Sequence, residues 1–328
     1  MVGVWPALFE LDNRGGGLNT SLMFNVLWTH AVESVGIIGV NVFVLISGYF
    51  LVEQRKINVR RVINIILTLM FYNCLFFAIG CSTGAYKFSV SELVYAVIPF
   101  MAGRKWFVET YIILLLFIPA INKLIEATDR REHRFIIAIQ LAIFSVWPSV
   151  LPSPPITDRG YGIINFLTLY FIGSYIRKYF DKKTSRTKLL LIFFVCYCIT
   201  CISSVLPYLS DREWDYCYLP NIIAAAAALY YFLRLKEKKI KIVNKIASTT
   251  FGVYLIHATL YLQPVIYHKW MKTDMFVDSY LQLPHFVLCV TIQFMVCAFI
   301  DYIRQKLWNP TVGKLEEKAT RFLNNENV

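Results

Sequence analysis

The sequence has few charged residues for its length. Only 16% of its 328 residues are Asp, Glu, Lys or Arg, 57% are hydrophobic, and the mean hydropathy is +0.53. This composition is more apolar than that of ordinary soluble domains, so it excludes one or two such domains. We therefore predict an all-α, polytopic membrane protein whose partner is the lipid bilayer.

The motifs of several familiar enzyme classes are also missing. The chain has no P-loop, no GxSxG and no HExxH element, which removes the usual sequence evidence for a phosphate-binding loop, a serine nucleophile and a zinc protease. Most of the eight cysteines lie in apolar runs, so we predict no disulfide framework. We expect no metal and no permanently bound cofactor. Residues 1–20 lack a basic segment followed by an apolar run, so no signal peptide is predicted.

Basic residues outnumber acidic ones by 33 to 21. They form short clusters between apolar segments, which is the positive-inside pattern of membrane proteins and not the charged face of a nucleic-acid-binding protein. The clusters occupy alternate connections, which we expect to be cytoplasmic. This alternation predicts an external loop at residues 1–20 and a cytoplasmic C-terminal tail at residues 304–328.

Nine apolar runs are long enough to cross a bilayer as helices. A shorter interfacial or re-entrant piece is expected near residues 89–100. No internal repeat or low-complexity linker divides the chain, so we predict a single integral-membrane domain over residues 1–328. The nine predicted spans lie at about residues 26–52, 61–82, 106–125, 135–151, 161–180, 189–209, 218–236, 247–267 and 281–303.

The opening span carries polar and ionisable side chains, which are costly inside a membrane and therefore indicate function. His30 and Glu33 are three residues apart on one helix face, so the carboxylate can orient the imidazole as a base. Alternatively, His30 lies at the level of the head groups and Glu33 pairs with a neighbouring helix. Asn41 contacts substrate or joins helices, and Ser47 is interpreted as a residue that joins helices.

Three candidates lie in later spans. Glu109 lies one turn inside its span, on the same side as Glu33, and either completes an acidic site or forms a structural ion pair. Trp106 is an aromatic-belt anchor or a substrate contact. His257 is expected near the middle of the membrane, as a satisfied structural group or as a ligand contact.

Arg60 and Arg61 follow the opening span on its cytoplasmic side. Guanidinium groups bind phosphates well, so both residues are candidates for the phosphates of a nucleotide-type donor. The positive-inside rule alone explains them equally well.

Four stretches, in order, resemble the membrane acyltransferase 3 family, and in particular its polysaccharide O-acetyltransferase branch. Residues 40–51, VNVFVLISGYFL, are similar to the family signature FFVLSGFL. The resemblance covers nearly the whole chain, and its other three stretches lie at residues 105–122, 169–177 and 251–257.

The resemblance implies about ten helices and an O-acyltransferase of the cell envelope, in the bacterial cytoplasmic (inner) membrane. Such an enzyme moves acetyl from acetyl-CoA to a hydroxyl of a surface glycan or its lipid-linked precursor. On this basis Arg60 and Arg61 contact acetyl-CoA. The other candidates are catalytic (His30, Glu33, Glu109) or substrate-binding (Asn41, Trp106, Tyr111, His257).

The chain departs from the family pattern at its start. The family's catalytic His lies in a first helix that would precede residue 1, so only nine of the ten helices are expected here. Either the reading frame begins upstream, or the product is an inactive remnant, or His30 or another group has taken over the role. A rival function is a transporter or flippase of lipid-linked sugars, which would use the same polar groups for binding alone.

Overall fold

A computed structural model describes residues 20–99, 104–151, 158–179, 181, 183–206, 212–263 and 265–311. Within these ranges the regular structure is helical and contains no strand, which confirms the predicted all-α class. The predicted external loop, except for residue 20, lies outside the described residues, as does the tail beyond residue 311. Residues 304–311 of the predicted tail belong to the last helix.

Eleven α-helices follow one another within the described ranges. A π-helical turn, Ala142–Val146, joins the fifth helix to the sixth. A second π-helical segment, Val265–Trp270, and a 3-10 turn, Thr273–Phe276, precede the last helix. The helices are α1 Thr20–Leu51, α2 Val59–Ser82, α3 Val90–Val97, α4 Trp106–Ala127, α5 Arg130–Leu141, α6 Trp147–Val150, α7 Ile163–Tyr179, α8 Arg186–Val205, α9 Leu219–Leu233, α10 Lys241–His257 and α11 Gln282–Thr311.

All nine predicted spans fall on these helices, and the chain is an integral membrane protein. In the described part of the chain, six helical segments are long and apolar enough to cross a bilayer: α1, α2, α4, α5 with α6, α8 and α11. The other three spans fall on α7, α9 and α10, which have 17, 15 and 17 residues. The predicted short piece is the eight-residue helix α3.

Helix α10 differs from its predicted span. It begins at Lys241 and ends at His257, not at residues 247 and 267. The prediction counted apolar residues only, whereas the basic residues that open this helix are good helix formers. His257 is therefore the last residue of its helix and does not lie in the middle of a longer span.

The helices group into two compact units. The first unit comprises residues 1–57 and 110–236, and the second comprises residues 58–109 and 237–328. Helix α4 contributes its first residues, through Glu109, to the second unit and the rest to the first. A single acyltransferase-like domain over residues 1–328 stays a prediction.

In the first unit, α1 packs against α7 with their backbones in contact. A Cβ atom added at Gly48 would lie 2.4 Å from the carbonyl oxygen of Tyr170, and one added at Gly173 would lie 2.2 Å from that of Leu45. Small residues permit such close approach of helices in membranes. The glycine of the Ser47-Gly48 pair therefore serves helix packing.

We expect Gly173→Ala to destabilise the first unit by about 1–3 kcal/mol, because the added methyl group overpacks a backbone contact. The measurement is the thermal unfolding midpoint of the purified protein in detergent. Gly39→Ala is the matched control, since a Cβ atom at Gly39 meets nothing within 4 Å. Equal midpoints for the two variants would contradict the packing account.

In the second unit, a fully buried carboxylate joins three helices. Asp301 of α11 is 0% exposed and accepts hydrogen bonds from the Tyr72 hydroxyl, Arg304 Nε and Gln305 Nε2, each at 2.7 Å. Gly252 of α10 lies against it, because a Cβ atom there would be 2.1 Å from the carboxyl group. Nothing in the sequence around Asp301 indicates this network.

Candidate functional site

Two polar clusters contain most of the predicted site residues, one in each unit. The first cluster, in the first unit, surrounds His30 on α1. The second cluster, in the second unit, surrounds His257 at the end of α10.

His30 is held by packing and not by Glu33. Its ring centroid lies 4.8 Å from that of Trp214, and the imidazole hydrogen-bonds the backbone of Ser204. Its Nδ1 is buried without a partner in the described part of the chain. Glu33 is exposed, and its charge acts on Tyr161. Among the described residues, no hydrogen bond joins His30 to Glu33, so the structure does not assemble the predicted pair.

Buried asparagines fix the loops of the first cluster. The Asn41 Nδ2 donates to the Tyr216 carbonyl oxygen at 2.9 Å, and the Asn165 Nδ2 donates to that of Gly160 at 3.1 Å. Asn221 donates to the carbonyl oxygen of Glu213 at 2.8 Å. Asn41 is 0% exposed, and its hydrogen bond attaches α1 to the loop that contains Tyr216.

These loops carry acidic groups that the sequence analysis missed. Glu213 and Asp215 are 2% and 8% exposed, and Arg159 Nε lies 2.6 Å from an Asp215 carboxylate oxygen. Gly160 has φ +79°, and a Cβ atom there would lie 2.4 Å from the backbone nitrogen of Cys217. Only glycine adopts this conformation without strain. A polar loop gives no sequence signal that its carboxylates will be buried.

Tyr111, a predicted substrate contact, is buried inside the first unit. It is 3% exposed, its hydroxyl is 3.1 Å from Ser47 Oγ, and its ring packs edge-on against Phe43. The Ser47 contact agrees with the interpretation of this serine as a residue that joins helices.

His257 has one ring nitrogen fixed and the other available. Its Nδ1 lies 2.9 Å from the Val253 carbonyl oxygen, which can only accept a hydrogen bond. The neutral imidazole therefore carries its proton on Nδ1 and a lone pair on Nε2. Nε2 has no partner within the described ranges. The ring is half-buried and lies 5.9 Å from the Tyr254 ring.

Lys105 and Glu109 complete the second cluster. Lys105 is 6% exposed, and its Nζ donates at 2.5 Å to the carbonyl oxygen of Ala258, the residue after His257. The Lys105 backbone nitrogen donates to Glu109 Oε1 at 3.3 Å, and the charge of Glu109 acts on Tyr254. Burial lowers the pKa of Lys105 to about 8. Nothing in the sequence around Lys105 indicates that this lysine is buried.

Trp106 is linked to the second cluster by contacts between aromatic rings. Its ring lies 5.8 Å from that of Phe107, which in turn lies 5.7 Å from the Tyr254 ring. The structure thus gathers Trp106, Glu109 and His257 in the second unit.

Arg104 precedes Lys105 in the sequence, but its positive charge has a carboxylate partner. It forms two hydrogen bonds to Glu92, at 2.6 and 2.8 Å, and lies 4.4 Å over the Tyr95 ring. These bonds hold the pKa of the Glu92 carboxyl below its usual value. The charge of Arg104 is therefore neutralised by a carboxylate, whereas that of Lys105 is not.

Arg60 and Arg61 lie in the first turn of α2. The Asn58 side chain caps this helix by accepting a hydrogen bond from the Arg61 backbone nitrogen at 3.0 Å. The positive end of the helix dipole and two guanidinium groups together favour an anion at this position.

A cavity of about 200 Å³ lies in the first unit where α1 ends. Asn122 closes one side by donating to the carbonyl oxygens of Leu51 and Gln54. The charged groups around the cavity are mixed in sign: Glu53, Arg55, Glu126, Arg177 and Lys178.

No metal site is present in the part of the chain that the structure describes. No group of His, Cys, Asp and Glu residues there is arranged to hold a metal ion. Cys198 and Cys201 of α8 have CxxC spacing. All eight cysteines are free thiols, so these two form no disulfide bond.

A protein-family model described as an acyltransferase domain, of the acyltransferase 3 type, matches residues 8–302. Neither the comparison with curated proteins nor the comparison with solved structures gave a match.

Proposed function

The chain belongs to the acyltransferase 3 family and is a membrane acyltransferase, and from this premise we propose that it moves acetyl from acetyl-CoA to a hydroxyl of a surface glycan or of its lipid-linked precursor. The family match over residues 8–302 is the observation that carries the proposal. The arrangement of the second cluster supports it chemically.

Acyl transfer to a hydroxyl requires a base, and His257 is the better-placed histidine. Its Nδ1 is held by the Val253 carbonyl, so Nε2 is left to take the hydroxyl proton. In His30 the nitrogen without a partner is sealed inside the protein. We therefore assign the base to His257.

Glu109 acts as a positioning residue in this proposal. Its carboxylate accepts the Lys105 backbone N–H and faces Tyr254. It thereby holds the backbone of Lys105, whose Nζ binds the carbonyl oxygen of the residue after the base. Trp106 supplies an apolar face for the acceptor beside the same cluster.

The donor is held by Arg60 and Arg61 in this proposal. The phosphates of acetyl-CoA are multiply charged, and the first turn of α2 offers them two guanidinium groups and a helix N-terminus. The basic connections support a cytoplasmic position for this end of α2 and for the C-terminus, in a bacterial inner membrane. That side contains acetyl-CoA.

The test uses membranes from a host that makes the glycan, incubated with radiolabelled acetyl-CoA. We expect alkali-labile label on the glycan, as an O-acetyl ester requires. Reversing both charges, Arg60→Glu with Arg61→Glu, should raise the KM for acetyl-CoA at least about tenfold, since charge-assisted bonds contribute roughly 1.5–3 kcal/mol each.

The matched control reverses two exposed lysines, Lys238→Glu with Lys239→Glu, and should leave that KM unchanged. Glycan export that continues without acetyl-CoA, with no label incorporated, would replace the acyltransferase proposal with the flippase alternative.

A further inference from the structure

A small cavity in the second unit is lined by hydrogen-bond donors. Its volume is about 20 Å³, and a water molecule needs roughly 10–15 Å³ by this kind of measure. The cavity therefore has room for one oxygen atom. Its polar lining consists of Asn73, Tyr95, Arg104, Lys105 and Tyr261.

The charge of this lining favours a negative oxygen. An amide, two hydroxyls, a guanidinium and an ammonium group can all donate, and no carboxylate is among the described residues that line the cavity. The nearby carboxylate of Glu92 is occupied by two bonds from Arg104. A negative oxygen in the cavity would meet donors and no repulsive charge.

Lys105 is the uncompensated cation of this lining. It is 6% exposed, and its only hydrogen bond from Nζ within the described ranges goes to the Ala258 carbonyl. An ammonium group has three N–H donors, so two are left for a ligand. A buried cation without a counter-charge is costly, and an anionic ligand offsets that cost.

The position of Lys105 connects the cavity to the proposed base. The carbonyl that Lys105 binds belongs to the residue directly after His257. The ammonium group is therefore bound to the end of α10 that carries His257. This juxtaposition is the arrangement that acyl transfer needs, with a base beside a site for developing negative charge.

We infer that this cavity is the oxyanion site of the acyl transfer, and that Lys105 is a catalytic residue that stabilises the oxyanion. The inference rests on the proposed function. As the acceptor oxygen bonds to the acyl carbon, the π electron pair of the carbonyl moves to its oxygen, which enters the cavity. His257 Nε2 takes the hydroxyl proton. When the carbonyl re-forms, the carbon–sulfur bond breaks and the thiol leaves with that proton.

The pH dependence is a second consequence. Burial gives Lys105 a pKa of about 8, so the charged form that stabilises the oxyanion is lost as the pH rises through that value. Activity should therefore fall above about pH 8. The other titratable or charged groups that face Lys105 are Arg104 and Glu109 beside it, Glu92 and Tyr95 of α3, Tyr86 before α3, Tyr254 and His257 of α10, and Tyr261.

The experiment measures kcat and the acceptor KM of acetyl transfer against pH for three variants. Lys105→Met removes the charge and keeps the length, and we expect kcat to fall by about 10²–10³-fold with KM unchanged, as for loss of one oxyanion donor. Lys105→Arg keeps the charge to higher pH, and the fall above about pH 8 should move upward. The control Lys87→Met alters an exposed lysine and should match the parent protein.

Other results of this experiment would overturn the inference. A raised KM with unchanged kcat in Lys105→Met would mean that the cavity holds a fixed anion of the acceptor, which overturns the inference. An unshifted fall in Lys105→Arg would overturn it too, even if Lys105→Met failed to fold. If the parent protein transfers acetyl normally while both variants keep its kcat, only this inference fails. If the parent transfers none, the proposed function fails and the inference falls with it.

Discussion

The substitution His257→Gln is expected to lower kcat for acetyl transfer by about 10²–10⁴-fold, the usual contribution of a general base. Glutamine keeps a polar group at the end of α10 but has no basic nitrogen, so the bond to the Val253 carbonyl can persist while proton transfer is lost. Because the change removes the base and not a binding contact, the KM for acetyl-CoA should stay the same. The measurement is steady-state transfer by purified protein.

Two further histidine variants test whether the loss of kcat is specific to His257. His268→Gln is the control, since His268 is exposed and pairs with exposed Asp274; it should retain full activity. His30→Gln should leave kcat little changed, because the buried Nδ1 of His30 cannot take a proton from substrate. A large loss of kcat in His30→Gln with none in His257→Gln would return the base to the opening helix.

The second large effect concerns stability. Asp301→Ala is expected to destabilise the protein by about 3–5 kcal/mol, the usual effect of removing one partner from a buried ion pair. Arg304, whose side chain is 11% exposed, would lose its counter-charge, and the Tyr72 hydroxyl would lose its acceptor. The measurement is the thermal unfolding midpoint in detergent, together with the folded yield.

A matched control and a rescue test the same network. Asp274→Ala removes a hydrogen bond between two side chains that are 60% and 67% exposed, and such exposed pairs contribute only about 0–1 kcal/mol. The double variant Asp301→Leu with Arg304→Met removes both buried charges and should recover part of the stability. If Asp301→Ala unfolds at the same temperature as Asp274→Ala, the carboxylate does not hold α2, α10 and α11 together.

The sequence predicts the helices of this fold well, for a simple physical reason. A bilayer requires about 20 consecutive apolar residues per helix, and that requirement is visible along the chain. Boundaries were less accurate where polar residues extend a helix, as at Lys241. Helix contacts were predictable only where small polar residues mark them, as at Ser47.

The candidate site was harder to predict, because its geometry depends on pairs far apart in sequence. Tyr72 and Asp301 are 229 positions apart, and Lys105 and Ala258 are 153 apart. Nothing in either local sequence indicates the partner. The His30–Glu33 pair was inferred from helix spacing alone, whereas the packing of Trp214 against His30 gives that ring a different environment.

The most direct measurement of the central claim uses the purified chain in proteoliposomes, with radiolabelled acetyl-CoA and a lipid-linked glycan acceptor. The parent protein should form an alkali-labile acetyl ester on the acceptor at a rate that depends on acetyl-CoA, and His257→Gln should form it at least about 10²-fold more slowly. No ester from the folded parent protein, with movement of the acceptor across the bilayer whether or not acetyl-CoA is present, would contradict the account.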